Sequence, residues 1–146
     1  VRQIETLYCD DVRKEAGNRM SYMGVYDSEM IVPSFPVAIQ ILHVVVTVKT
    51  PKERPFKRLE LVFKSGESVL AHVRLPEEQL AAQFNPPDRE FAEIVIRFII
   101  SFNSIVVRES SDIGVTAITE EGELLGNRLQ IRSAEVETQP LATVDL

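Results

Sequence analysis

Apolar residues recur at every second position along this chain, and that period decides what it can fold into. In "RLELVFK", 58–64, Leu59, Leu61 and Phe63 share one side, while Arg58, Glu60 and Lys64 take the other. "KSGE", 64–67, is a turn. "SVLAHVRL", 68–75, then sets Val69, Ala71, Val73 and Leu75 inward and Ser68, His72 and Arg74 outward, so the two runs predict a hairpin. "FAEIVIRFIISF", 91–102, alternates in the same way and is rich in β-branched and aromatic residues, which fits a strand rather than a helix. Ile94, Ile96, Phe98, Ile100 and Phe102 form one face. The other face, Glu93, Val95, Arg97, Ile99 and Ser101, is itself partly apolar, which predicts a central strand or one covered at an end. In "PVAIQILHVVVTVK", 36–49, the apolar set switches from Val37, Ile39 and Ile41 to Leu42, Val44, Val46 and Val48. A β-bulge, or a strand crossing between sheets, produces such a switch.

Shorter runs complete the pattern: "IETLYC", "RMSYMGVYD", "EMIV", "SIVVRE", "IGVTAIT" and "LLGNRLQIR". "TEEGE", 119–123, predicts a hairpin turn with Gly122 at positive φ. Prolines 33, 36, 51, 55, 76, 86 and 87 fall between strands, where the missing N–H is tolerated. Only "PEEQLAAQF", 76–84, reads as helical, with Pro76, Glu77 and Glu78 suited to a first turn. The expectation is an all-β, antiparallel two-sheet sandwich, immunoglobulin-like or C2-like, of eight to nine strands with one short helix in a crossover.

The 146 residues suit one domain with a full core. We read residues 1–132 as the sandwich and 133–146 as a polar tail. No uncharged apolar run is long enough for a membrane span, and the N-terminal residues carry no signal-peptide pattern. Cys9 is the only cysteine, which rules out an internal disulfide and suits a reducing compartment. These features predict a cytoplasmic protein. A net charge of −6 argues against wholesale binding to nucleic acid or anionic membrane. The charge is uneven. Lys49, Lys52, Arg54, Lys57, Arg58 and Lys64 crowd one segment against Glu53 and Glu60, while residues 109–146 are strongly acidic. Such asymmetry can guide association, although solvated loops carry similar runs.

The stretch "YCDDVRKEAGNRMSYMGVYD", 8–27, raises the question of a site. Asp10 and Asp11, with Asp27 and Glu29 across a turn, offer four carboxylates towards the six to eight oxygens of a calcium site. Adjacent aspartates on a strand point to opposite faces, however, and Arg13 and Lys14 stand close enough to neutralise them. A catalytic thiol at Cys9 needs a histidine, and only His43 and His72 exist; a small buried thiol is the simpler reading. One Cys and two His are too few for a zinc centre at ligand spacing. There is no GxSxG, P-loop or GxGxxG, and the two "GNR" runs, 17–19 and 126–128, mark turns or bulges. Tyr22 and Tyr26 share a strand face with Met20 and Gly24, and we expect them to be core with hydroxyls at the rim.

"CDDVR", 9–13, "GVY", 24–26, and the short strand ending at Pro33 together resemble a family of uncharacterised bacterial proteins of about this length, found also in prophage settings. The resemblance is most specific over the first third of the chain. It implies a compact all-β fold and carries no catalytic residue. The reading is therefore a non-enzymatic binding or assembly module without a cofactor, acting on a protein partner or on itself as a homo-oligomer. The basic segment Lys49, Lys52, Arg54, Lys57 and Arg58 is the first candidate contact surface. The alternative is a cation- or ligand-binding domain using Asp10, Asp11, Asp27 and Glu29.

Overall fold

The computed structural model describes residues 1–82 and 93–134. Among the described residues there are ten strands and one short helix: β1 (Gln3–Glu15), β2 (Arg19–Tyr26), β3 (Glu29–Val32), β4 (Val37–Pro51), β5 (Leu59–Ser65), β6 (Ser68–Arg74), α1 (Glu77–Ala82), β7 (Glu93–Val107), β8 (Ser111–Thr119), β9 (Gly122–Leu125) and β10 (Leu129–Ser133). The strands form two sheets. One runs β2-β1-β4-β7, the other β3-β10-β8-β5-β6, with β9 also on β8. Pairing is antiparallel except between β10 and β3, which run parallel. The expected two-sheet sandwich is what the chain builds. α1 spans only part of the helical run read from sequence, and the remainder of that run lies outside the described residues, as does the tail beyond Ala134.

Alternation makes the core. Tyr8, Leu42, Val44, Val46, Val48 and Phe102 of the first sheet face Leu59, Leu61, Phe63, Ile113, Val115 and Ile131 of the second. Phe63 and Phe102 meet edge-to-face across the layers with centroids 5.4 Å apart, a favoured aromatic geometry. The turn at 120–121 forms as expected, with Gly122 at φ 122°.

Four sequence expectations need correction. First, "LLGNRLQIR" is two strands, β9 and β10, rather than one; the other three concern β7 and the β5–β6 hairpin. Second, "SIVVRE" is not a separate strand: its apolar part is the end of β7, whose pairing with β4 keeps one register from Pro51↔Glu93 to Val37↔Val107. The phase switch in β4 is real, but it is shared. β7 buries Phe102, then Ile105 and Val107, and Ser104 takes φ 58°, so both strands switch together and their register survives. Third, of the two readings of β7, central or covered at one end, the first does not hold: among the described residues it is the last strand of its sheet. Fourth, a β-bulge between Phe63 and Lys64 shifts the β5–β6 hairpin. It turns Leu70 towards the core and leaves Val69 in solvent.

Candidate interaction surfaces

The five basic residues do not gather into one patch. Lys49 lies on the outer face of the first sheet, where its Nζ pairs with Glu5 at 3.3 Å. Arg54, in the loop between β4 and β5, is bound by Glu121. Arg58 binds Glu60 on the outer face of the second sheet. Lys52 and Lys57 have no ion pair among the described residues. The acidic β8–β9 turn is thus the partner of the basic loop. Arg2 completes that junction: its Nη2 donates to Glu120 at 2.6 Å and to the carbonyls of Arg54 and Pro55, and its Nε donates to Thr50 Oγ1. The guanidinium also stacks 4.6 Å above the Phe56 ring, a cation–π contact. Burial works against ionising Glu120. The Arg2 hydrogen bond and the backbone N–H groups of Lys57 and Arg58 outweigh it and lower its pKa to about 2.

The four acidic candidates are also dispersed. Asp10 Oδ1 accepts the Tyr26 hydroxyl at 2.8 Å. Asp11, on the opposite face of β1, accepts the Val12 N–H and faces Arg13. Glu29, in the other sheet, pairs with Arg132 at 3.2 Å. Asp27 follows β2 and carries no hydrogen bond among the described residues. Among the described residues no group of three or more His, Cys, Asp or Glu side chains is placed to hold a metal ion. Tyr26 is half-buried against the core with its hydroxyl at the rim, and burial followed by Asp10 pushes its pKa up to about 12.

Register brings together residues that the sequence kept apart. Cys9, His43 and Ser101 form one row across β1, β4 and β7. Ser101 Oγ lies 2.6 Å from His43 Nδ1. Cys9 is fully buried, and burial, with Asp10 and Asp11 nearby, raises its thiol pKa, which favours the protonated form. Among the described residues no carboxylate is hydrogen-bonded to His43. The row lacks the third member that orients a base in nucleophilic catalysis.

The cluster that sequence reasoning missed surrounds Glu60. Its carboxylate, only 2% exposed, is roofed by three outward-facing side chains. Arg58 Nε donates to Oε2; His72 Nε2 lies 2.8 Å and Arg74 Nη2 3.3 Å from Oε1. The roof is side chains rather than deep core. The Arg58 and His72 hydrogen bonds hold the Glu60 pKa at about 2. Alternation had already assigned all four residues to one face; the missing information was the register, which sets Glu60 directly opposite Arg74.

The outer edge of β7 is the other distinctive surface. Among the described residues no strand pairs with that edge. Its outward residues include Val95, 50% exposed, and Ile99, 38% exposed.

A family model described as "Family of unknown function (DUF6941)" matches residues 5–132, from β1 into β10. The chain belongs to this family. Neither a curated protein nor a solved structure matches it. The DUF6941 match therefore draws on strands of both sheets, and Arg2 precedes it. No helix among the described residues of this DUF6941 chain is long and apolar enough to cross a membrane.

Proposed function

We propose that this protein is a non-enzymatic assembly module that associates with a second copy of itself through the outer edge of β7. The observation that carries this reading is the composition of the edge. Exposed strand edges are usually guarded by lysine, proline or extreme shortness. β7 is 15 residues long and contains neither lysine nor proline. Its first five residues are self-complementary. An antiparallel two-fold pairing centred on Val95 sets Glu93 opposite the partner copy's Arg97, Ile94 opposite Ile96, and Val95 opposite itself. Each match joins opposite charges or apolar side chains, the pairings that stabilise adjacent strands. A symmetric pair is also the commonest form of homo-oligomer. The N-terminal resemblance to bacterial and prophage-associated proteins suits an assembly component.

Sedimentation of three proteins tests this reading. The wild type is expected to sediment as a dimer. Arg97→Glu sets like charges opposite one another and is expected to give a monomer. The double exchange Glu93→Arg with Arg97→Glu restores complementarity and is expected to restore the dimer. A monomeric wild type, or an Arg97→Glu variant that still dimerises, overturns the reading.

A further inference from the structure

A cleft of about 290 Å³ opens beside Glu60, between the start of β5, the end of β6 and α1. Its floor is aliphatic: Leu59 and Leu80 are buried and Leu75 half-buried. Its rim is cationic, with Lys57, Arg58 and Arg74. The volume is close to the lower end of small-molecule sites, roughly 300–1,000 Å³.

The cations are held in place. The Lys57 and Arg58 N–H groups both donate to Glu120 Oε1, at 2.9 and 3.2 Å, which fixes the backbone that carries these two side chains. Glu60 engages Arg58 through Nε and Arg74 through one Nη. Both Nη groups of Arg58, the other nitrogens of Arg74 and the Lys57 ammonium carry no hydrogen bond among the described residues. The Arg58 and Arg74 side chains are 54% and 73% exposed. Immobilised guanidinium donors beside an apolar floor suit an oxyanion with a hydrocarbon body. Charge narrows the choice further. Lys57, Arg58 and Arg74 stand against Glu60 and Glu77, which leaves one net positive charge in the cleft. That balance favours a monoanion over a phosphate dianion.

We infer that this cleft binds an aliphatic carboxylate, supplied either as a free small acid or as an acidic side chain beside leucine in a partner's peptide segment. A bare anion leaves the exposed part of Leu75 uncovered, whereas an uncharged hydrocarbon desolvates the guanidinium groups without pairing them. The cleft lies on the second sheet and is independent of the β7 edge.

Methyl NMR of the 146-residue chain tests the inference with 4-methylpentanoate as probe. Saturable shifts are expected at Leu59, Leu75 and Leu80. The exposed-site double variant Lys57→Gln with Arg74→Gln is expected to weaken binding at least about tenfold, with its remaining methyl spectrum unchanged. Parallel titrations use acetate, 4-methylpentanol, inorganic phosphate and an acetylated Leu-Glu peptide amide. Tighter binding of the peptide assigns the carboxylate to a protein partner; tighter binding of the free acid assigns it to a small molecule; either supports the site. Absence of saturable shifts, an equal response to the alcohol, a stronger response to phosphate, or undiminished binding by the double variant overturns it.

Discussion

Glu120 ties the basic loop to the acidic end of the chain, a contact that its place in a predicted turn does not announce. The basic run 49–64 and the acidic segment 109–146 stand out as two charged extremes, suited to guiding association or to lying solvated. They meet each other instead, because β5 pairs with β8 and sets Leu59 opposite Thr119, which brings the 120–121 turn under the loop. Arg2 is the residue most dependent on that meeting, with its side chain 5% exposed. Glu120→Gln is expected to destabilise the fold by about 2 kcal/mol, since it leaves a buried guanidinium without its nearest counter-charge. Glu121 at 3.4 Å from Arg2 limits the loss. The effect has a defined pH dependence. The folded carboxyl ionises at about 2 against an ordinary value of 4.5. Its contribution is complete above pH 4.5 and is lost as the pH falls towards 2. Urea unfolding of both proteins across that window should show their stabilities converging as the solution is acidified.

At the level of elements, alternation identified nearly every strand, and errors arose where tertiary contacts cut or joined runs. "LLGNRLQIR" reads as one strand but is two, β9 and β10, both on β8. The break at 126–128 is where β1 of the opposite sheet docks. The Tyr8 hydroxyl donates to the Asn127 carbonyl at 2.8 Å, and Thr6 N–H donates to Asn127 Oδ1 at 3.2 Å. Gly126 makes room for this contact: a Cβ there would sit 2.8 Å from Thr6 Cγ2. No local pattern in the sequence announces such an inter-sheet clamp. Two substitutions probe it by thermal or urea denaturation. Gly126→Ala is expected to cost about 1–3 kcal/mol through crowding against Thr6. Tyr8→Phe keeps the ring and loses the hydroxyl bond, for about 1 kcal/mol. A Gly126→Ala variant as stable as the wild type would show that the two sheets separate at this point at no cost. β4 teaches the complementary lesson. Its phase switch was legible because apolar residues changed parity at Leu42, whereas the matching switch in β7 was hidden behind the small polar pair Asn103–Ser104 and read as a strand end.

For the whole molecule, the sandwich followed from period and composition, but the order of strands did not, and strand order decides which surfaces are left over. The half-apolar outer face of β7 reads in the sequence as the mark of a central strand or of one covered at an end. Placed at an edge, the same residues are, on the proposed reading, the means of joining two four-stranded sheets into one continuous layer. Association of this kind couples stability to concentration, because dimer formation favours the native state by mass action. The melting temperature of the wild type is therefore expected to rise with protein concentration. Val95→Lys sets two ammonium groups opposite each other on the proposed two-fold axis. It should abolish that dependence. Val95 is half exposed in the monomer, so the substitution should alter monomer stability by no more than about 0.5 kcal/mol. At high dilution the two proteins should then melt together, and they should diverge as concentration rises. Parallel melting curves at every concentration would place the contact elsewhere on the molecule.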